Sequence, residues 1–161
     1  MSGYNVVEIL KIAVNIEKNA VAFYAAAAEQ NVSEPIRKLM SDLSTWEKQH
    51  VSLFSRMVSE WEDKDVVSFD PEDHVEGYLR AVASGNIFTP EKQISEMPQP
   101  GEDADSLLQR ALQREQEAIV LFLALRDSLT DPADKKAVED LVREEMSHIS
   151  FLQTKKSELS N

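Results

Sequence analysis

The segment Leu43-Ser44-Thr45-Trp46-Glu47-Lys48-Gln49-His50-Val51-Ser52-Leu53-Phe54 sets Glu47 and His50 three residues apart in a run of helical periodicity. Both side chains therefore leave the same face of a helix. The pattern returns in Leu141-Val142-Arg143-Glu144-Glu145-Met146-Ser147-His148-Ile149-Ser150-Phe151-Leu152, so two of the three histidines in the chain sit in Glu-x-x-His. The two copies are 98 residues apart, and the same offset carries Glu17 onto Glu115. Their surroundings agree: Glu17-Lys18-Asn19-Ala20-Val21-Ala22-Phe23-Tyr24 lies against Glu115-Gln116-Glu117-Ala118-Ile119-Val120-Leu121-Phe122. One offset relates six residues without a gap.

Outward from this repeat, the apolar residues define four long helices. Val6, Leu10, Ala13, Ala20, Tyr24 and Ala27 form a stripe over about Asn5 to Gln30, with Glu17 inside it. A short break at 31–34 precedes Pro35, which suits a first helical turn. The second helix extends to about Asp63, with Leu39, Leu43, Trp46, Phe54, Met57 and Trp61 flanking Glu47 and His50. So short a connection makes the first two helices antiparallel neighbours. The third is expected over about Ala104 to Leu129, with Glu115 in its stripe. The fourth runs from the restart at Asp131-Pro132-Ala133-Asp134 to about Ser157, around Glu145 and His148.

Residues 64–103 differ in character. Asp70-Pro71-Glu72 is expected to open a short helix to about Ser84, stopped by Gly85-Asn86, and Pro90, Pro98, Pro100 and Gly101 break the chain beyond it. About 40 residues can travel the length of a bundle, since a 26-residue helix is only ~39 Å long. The third helix is then expected to start at the same end as the second and run parallel to it. The fold expected is an all-α four-helix bundle with a long crossover between helices 2 and 3, in a single domain over residues 1–161.

The composition agrees. Glycine (4) and proline (6) are sparse and the good helix formers abound. The absence of cysteine excludes disulfides, zinc ribbons, iron–sulfur clusters and thiol nucleophiles from this chain. No run approaches the ~18–20 apolar residues of a membrane span. A formal charge of −12 disfavours nucleic acid or an anionic membrane as partner. Met1-Ser2-Gly3-Tyr4-Asn5 lacks the features of a signal peptide, so a cytoplasmic location is expected.

Each repeated acid lies near the middle of its helix, so Glu17, Glu47, Glu115 and Glu145 are expected to meet at one level. Four buried carboxylates cannot all stay ionised without counter-charge. Two divalent cations balance them, with His50 and His148 as neutral nitrogen donors. Such a sulfur-free oxygen and imidazole set suits iron or manganese better than calcium or structural zinc.

One glutamate from each of two helices plus Glu-x-x-His from each of two others is the ligand set of ferritin-like di-iron and di-manganese proteins. On Glu17, Glu47, His50, Glu115, Glu145 and His148, the chain resembles the rubrerythrin branch of that family. The resemblance extends into the crossover, at Glu76-Gly77-Tyr78-Leu79-Arg80-Ala81 and Gly85-Asn86-Ile87-Phe88. It implies a non-haem centre of two iron ions, with manganese or a mixed Fe/Mn pair admissible. It also implies reaction with hydrogen peroxide or dioxygen, in a homodimer. Rubrerythrins proper carry a four-cysteine rubredoxin domain; without cysteine, electrons are expected from a separate donor protein. They also tend to place a seventh acidic ligand one turn after the third-helix glutamate, where this chain has Ala118.

The function expected is an oxidoreductase acting on peroxide or dioxygen; the alternatives are an iron-handling protein without turnover and an interaction bundle without metal. Tyr24, Phe122, Trp46 and Trp61 are expected in the core or an interface, and His74 and Glu117 on the surface. The acidic segment 60–65 is expected to end the second helix.

Overall fold

The computed structural model describes residues 5–64, 73–85 and 89–161. Its helices are α1 (Val6–Ala28), α2 (Glu34–Trp61), α3 (His74–Ala83), α4 (Pro90–Ser95), α5 (Ala104–Ser128) and α6 (Pro132–Leu159). Their ends follow local chemistry. Asn5 and Glu8 close a reciprocal capping box on α1. The side chains of Asp103 and Asp131 accept backbone N–H bonds at the starts of α5 and α6. Gly101, at φ 78°, makes the turn into α5, where a side chain would be strained.

Two apolar clusters reveal the directions of the long helices. One gathers Tyr24 and Ala27 from the end of α1, Leu39 and Leu43 from the start of α2, Leu107 and Leu108 from the start of α5, and Leu152 near the end of α6. The other gathers Ile9 and Leu10, Phe54 and Met57, Leu121 and Leu125, and Val138 and Leu141 from the opposite ends. Helices α2 and α5 thus begin at the same end and run parallel, while α1/α2 and α5/α6 form antiparallel hairpins.

The crossover contains more helix than proline and glycine suggest. Helix α3 is capped by Asp73, and Leu79 and Val82 bury into the second cluster. The expected opening at 70–72 falls outside the described residues, as does Asn86. The helix ends at Ala83, with Ser84 as its cap and Gly85 at a positive φ of 78°, at the expected stop. Pro90 does not break the chain: it opens α4 behind Thr89, whose hydroxyl accepts from the Lys92 N–H at 3.1 Å. Proline suits a first turn because the N–H it lacks has no partner there.

One buried polar tie fixes the far end of the bundle. Trp61 Nε1 donates to Asp134 Oδ2 at 2.8 Å, linking the last turn of α2 to the first turn of α6. Asp134 is only 8% exposed. Trp61→Phe keeps most of the apolar contact but strands this carboxylate, so we expect a loss of about 1–3 kcal/mol in urea unfolding. An unchanged midpoint would show that the tie contributes nothing net.

Candidate metal centre

Between the two apolar clusters lies one polar layer. Glu17 comes from α1, Glu47 and His50 from α2, Glu115 from α5, and Glu145 and His148 from α6; all six are buried. The Glu-x-x-His spacing sets each acid and imidazole side by side one turn apart on the inward face. The arrangement nearly repeats about a pseudo-two-fold. His50 Nδ1 lies 2.9 Å from Glu47 Oε2, 2.9 Å from Glu145 Oε1 and 3.7 Å from Glu17 Oε2. His148 Nδ1 lies 2.9 Å from Glu145 Oε2, 3.1 Å from Glu47 Oε1 and 3.7 Å from Glu115 Oε1. The imidazole rings stack with centroids 5.7 Å apart.

Two overlapping quartets result. Glu17, Glu47, His50 and Glu145 bring one donor atom each within 4.8 Å of one another, as do Glu47, Glu115, Glu145 and His148. Glu47 and Glu145 belong to both. The fit to cations lies in oxygens that receive no hydrogen bond. Glu17 Oε1 is buried without a partner. Glu47 Oε1 and Glu145 Oε1, though 3.1 and 2.9 Å from an imidazole Nδ1, lose its hydrogen bond to another carboxylate oxygen. Buried carboxylate oxygens left in this way cost stability unless protons or metal ions take them up.

The electrostatics show how the layer's own groups compensate one another. Burial, reinforced by neighbouring carboxylates, raises Glu17 and Glu115 well above the ordinary glutamate value. Burial opposes ionisation of Glu47 and Glu145 too, but hydrogen bonds from His148 and His50 outweigh it and hold both below that value. Burial disfavours the imidazolium at His50 and His148, yet the surrounding carboxylates prevail. His148 is pushed up to about 12, and His50 rises further. Two ionised glutamates thus face two imidazolium rings.

Several contacts around this layer escape a reading of helical faces. Tyr24 is fully buried in the core, and its hydroxyl also donates to Glu115 Oε1. The available signal was its position seven residues, or two turns, beyond Glu17. The 98-residue counterpart, Phe122, has no hydroxyl and packs on Phe54 at 4.9 Å. Trp46 is half-buried and stacks on His148, with centroids 5.5 Å apart and planes 17° apart. His74 is exposed.

Glu117 departs from its expected surface role. It is half-buried, 3.8 Å from Lys92 of α4, and lines a pocket reaching Glu17 and Glu115. Ala118 lines the same pocket and supplies no ligand atom. Gln93 of α4 accepts from Asn19 at the pocket wall. Arg114 also lines it, and its Nε and Nη2 are buried without hydrogen-bond partners while the guanidinium lies over Phe23 at 4.6 Å.

A four-helix bundle with a long crossover and a central layer of four glutamates and two histidines defines a ferritin-like protein. A family model, Rubrerythrin, matches residues 8–156, and the chain belongs to that family. Its fold is similar to that of a Thermotoga maritima protein described as a ferritin-like diiron-carboxylate protein. The TM-score is 0.70 at 20% identity, covering 98% of both chains. No curated protein matches the chain significantly. Among the described residues, no helix is long and apolar enough to cross a membrane.

Proposed function

We propose that this chain is a non-haem di-iron oxidoreductase that reduces hydrogen peroxide or dioxygen. The observation that carries the reading is the pair of overlapping quartets, in which Oε1 of Glu17, Glu47 and Glu145 is buried without a hydrogen bond. Glu17 and Glu115 would each serve one ion as terminal carboxylates. Glu47 and Glu145, which belong to both quartets, would be shared between the ions, and His50 and His148 would give one nitrogen donor to each. When bound, two iron ions supply electrons and Lewis acidity.

The remaining chemistry belongs to the protein. The apolar clusters on either side keep bulk water from the layer and strengthen its electrostatic interactions. Burial and the neighbouring glutamates raise the pKa of Tyr24, which keeps its O–H as a donor to Glu115 Oε1. The pocket lined by Glu17, Glu115, Ala118 and Arg114 offers the oxidant an approach from the α4 side. The electron donor in this proposal is a separate protein, and the chain works as a homodimer.

Ala118 favours a second reading, iron handling without turnover, because no acidic side chain occupies the position one turn beyond Glu115. One experiment separates the two. Metal-free protein is loaded anaerobically with Fe(II), its iron content measured, and a peroxide pulse followed by ferric absorbance, in wild type and Glu115→Ala. The expected result is two irons per wild-type chain, fewer in the variant, and oxidation by peroxide within seconds. Two irons inert to both peroxide and dioxygen would leave iron handling; no bound iron would leave an interaction bundle.

A further inference from the structure

We propose that Glu144 is a positioning residue that makes the two metal positions unequal, favouring the one built on Glu17 and His50. This rests on the reading of the six-residue layer as a dinuclear metal centre. The 98-residue repeat holds at all six ligand positions but fails immediately beside them: the counterpart of Glu144 is Trp46.

Each of these two residues touches the histidine of the other copy. His50 Nε2 lies 2.8 Å from Glu144 Oε2, a contact between residues 94 apart in the chain. His148 instead meets the flat face of Trp46, and no carboxylate reaches its Nε2 among the described residues. Both rings turn Nδ1 toward the glutamates.

An imidazole that gives Nδ1 to a metal must carry its proton on Nε2. At His50, Glu144 is in place to accept a hydrogen bond from that N–H, which fixes the tautomer, holds the ring orientation and makes Nδ1 a stronger donor. Stacking on Trp46 restrains the plane of His148 but accepts no hydrogen bond. The Tyr24 hydroxyl acts in the same direction. It draws on Glu115, the terminal carboxylate of the second quartet, while the corresponding residue Phe122 leaves Glu17 free of such a bond. Glu144 itself is 57% exposed on its side chain, so replacing it opens no cavity in the core.

The test isolates each quartet in the full-length chain. Glu115→Ala leaves the His50 quartet whole, and Glu17→Ala leaves the His148 quartet whole. Affinity for Mn(II) is read at equilibrium by competition with a chelator. Adding Glu144→Ala is expected to weaken Mn(II) by about 10–100-fold in the Glu115→Ala background and by less than about threefold in the Glu17→Ala background. Glu144→Gln, which keeps an acceptor, is expected to recover most of the affinity in the first background.

Equal weakening in the two backgrounds, or none in either, overturns the proposal, as does a Glu144→Gln loss equal to that of Glu144→Ala. If wild type and both single variants fold yet bind no Mn(II), the metal-centre reading itself fails and this inference falls with it.

Discussion

Metal-free protein given two divalent ions per chain is expected to melt roughly 15–30 °C higher than the same protein in chelator. At a free-ion concentration a thousandfold above Kd, each site adds about 4 kcal/mol to the folded state, so two sites add about 8 kcal/mol. For a chain of this length each kcal/mol moves the midpoint by about 2–4 °C. Glu47→Ala should remove most of that gain, because Glu47 belongs to both quartets, whereas Glu115→Ala, confined to one, should remove about half. Without metal, Glu47→Ala also deprives both imidazolium rings of an ionised partner, at a cost of about 3–5 kcal/mol. Calorimetry with Mn(II) and with chelator measures both effects. Equal metal-induced shifts in wild type and Glu47→Ala would remove the glutamate layer as the binding site.

Raising the pH above about 6.5 is expected to destabilise the metal-free form and to leave the metal-loaded form nearly unchanged. Glu17, Glu115, His50 and His148 have folded-state pKa values above their ordinary 4.5 and 6.5, so the metal-free fold holds protons that the unfolded chain releases. Stability from these groups is complete below the ordinary values and is lost as pH rises toward the folded ones. Glu47 and Glu145 are shifted down; their contribution is present above 4.5 and lost as pH falls through their folded values. Metal-free protein should therefore be most stable in mildly acid solution.

Each net proton released on unfolding costs about 1.4 kcal/mol per pH unit. Each such proton, between about pH 6.5 and 8.5, lowers the midpoint by roughly 5–10 °C. Metal ions must displace the protons on those four groups, so the metal-induced gain should grow over the same interval. Titrating Mn(II) into weakly buffered protein should release at least two protons per pair of ions, those of the two imidazolium rings, with any held on Glu17 and Glu115 in addition. Parallel pH trends with and without metal, or no proton release, would contradict the charge state of the layer.

Helical periodicity and a single repeat made the bundle legible before any coordinates. Glu17, Glu47, Glu115 and Glu145 each interrupt an apolar stripe near mid-helix, and a stripe reports which face turns inward. Because mid-helix positions share a level whichever way each helix runs, that sufficed to bring the six residues of the layer together. The length of the crossover sufficed to make α2 and α5 parallel. Helix α4 was less legible, since Thr89 and Pro90 can begin a helix as readily as end one.

The sequence by itself determined the helical architecture, the inward acids and the 98-residue symmetry, all consequences of spacing along one chain. Tertiary structure alone decided how that symmetry is broken. Glu144 against His50, Trp46 against His148, the Tyr24 hydroxyl on Glu115 and Glu117 beside the pocket all depend on contacts that spacing does not encode. The physical reason is that periodicity assigns a side chain to a face, whereas its partner depends on the approach and rotamers of a second helix.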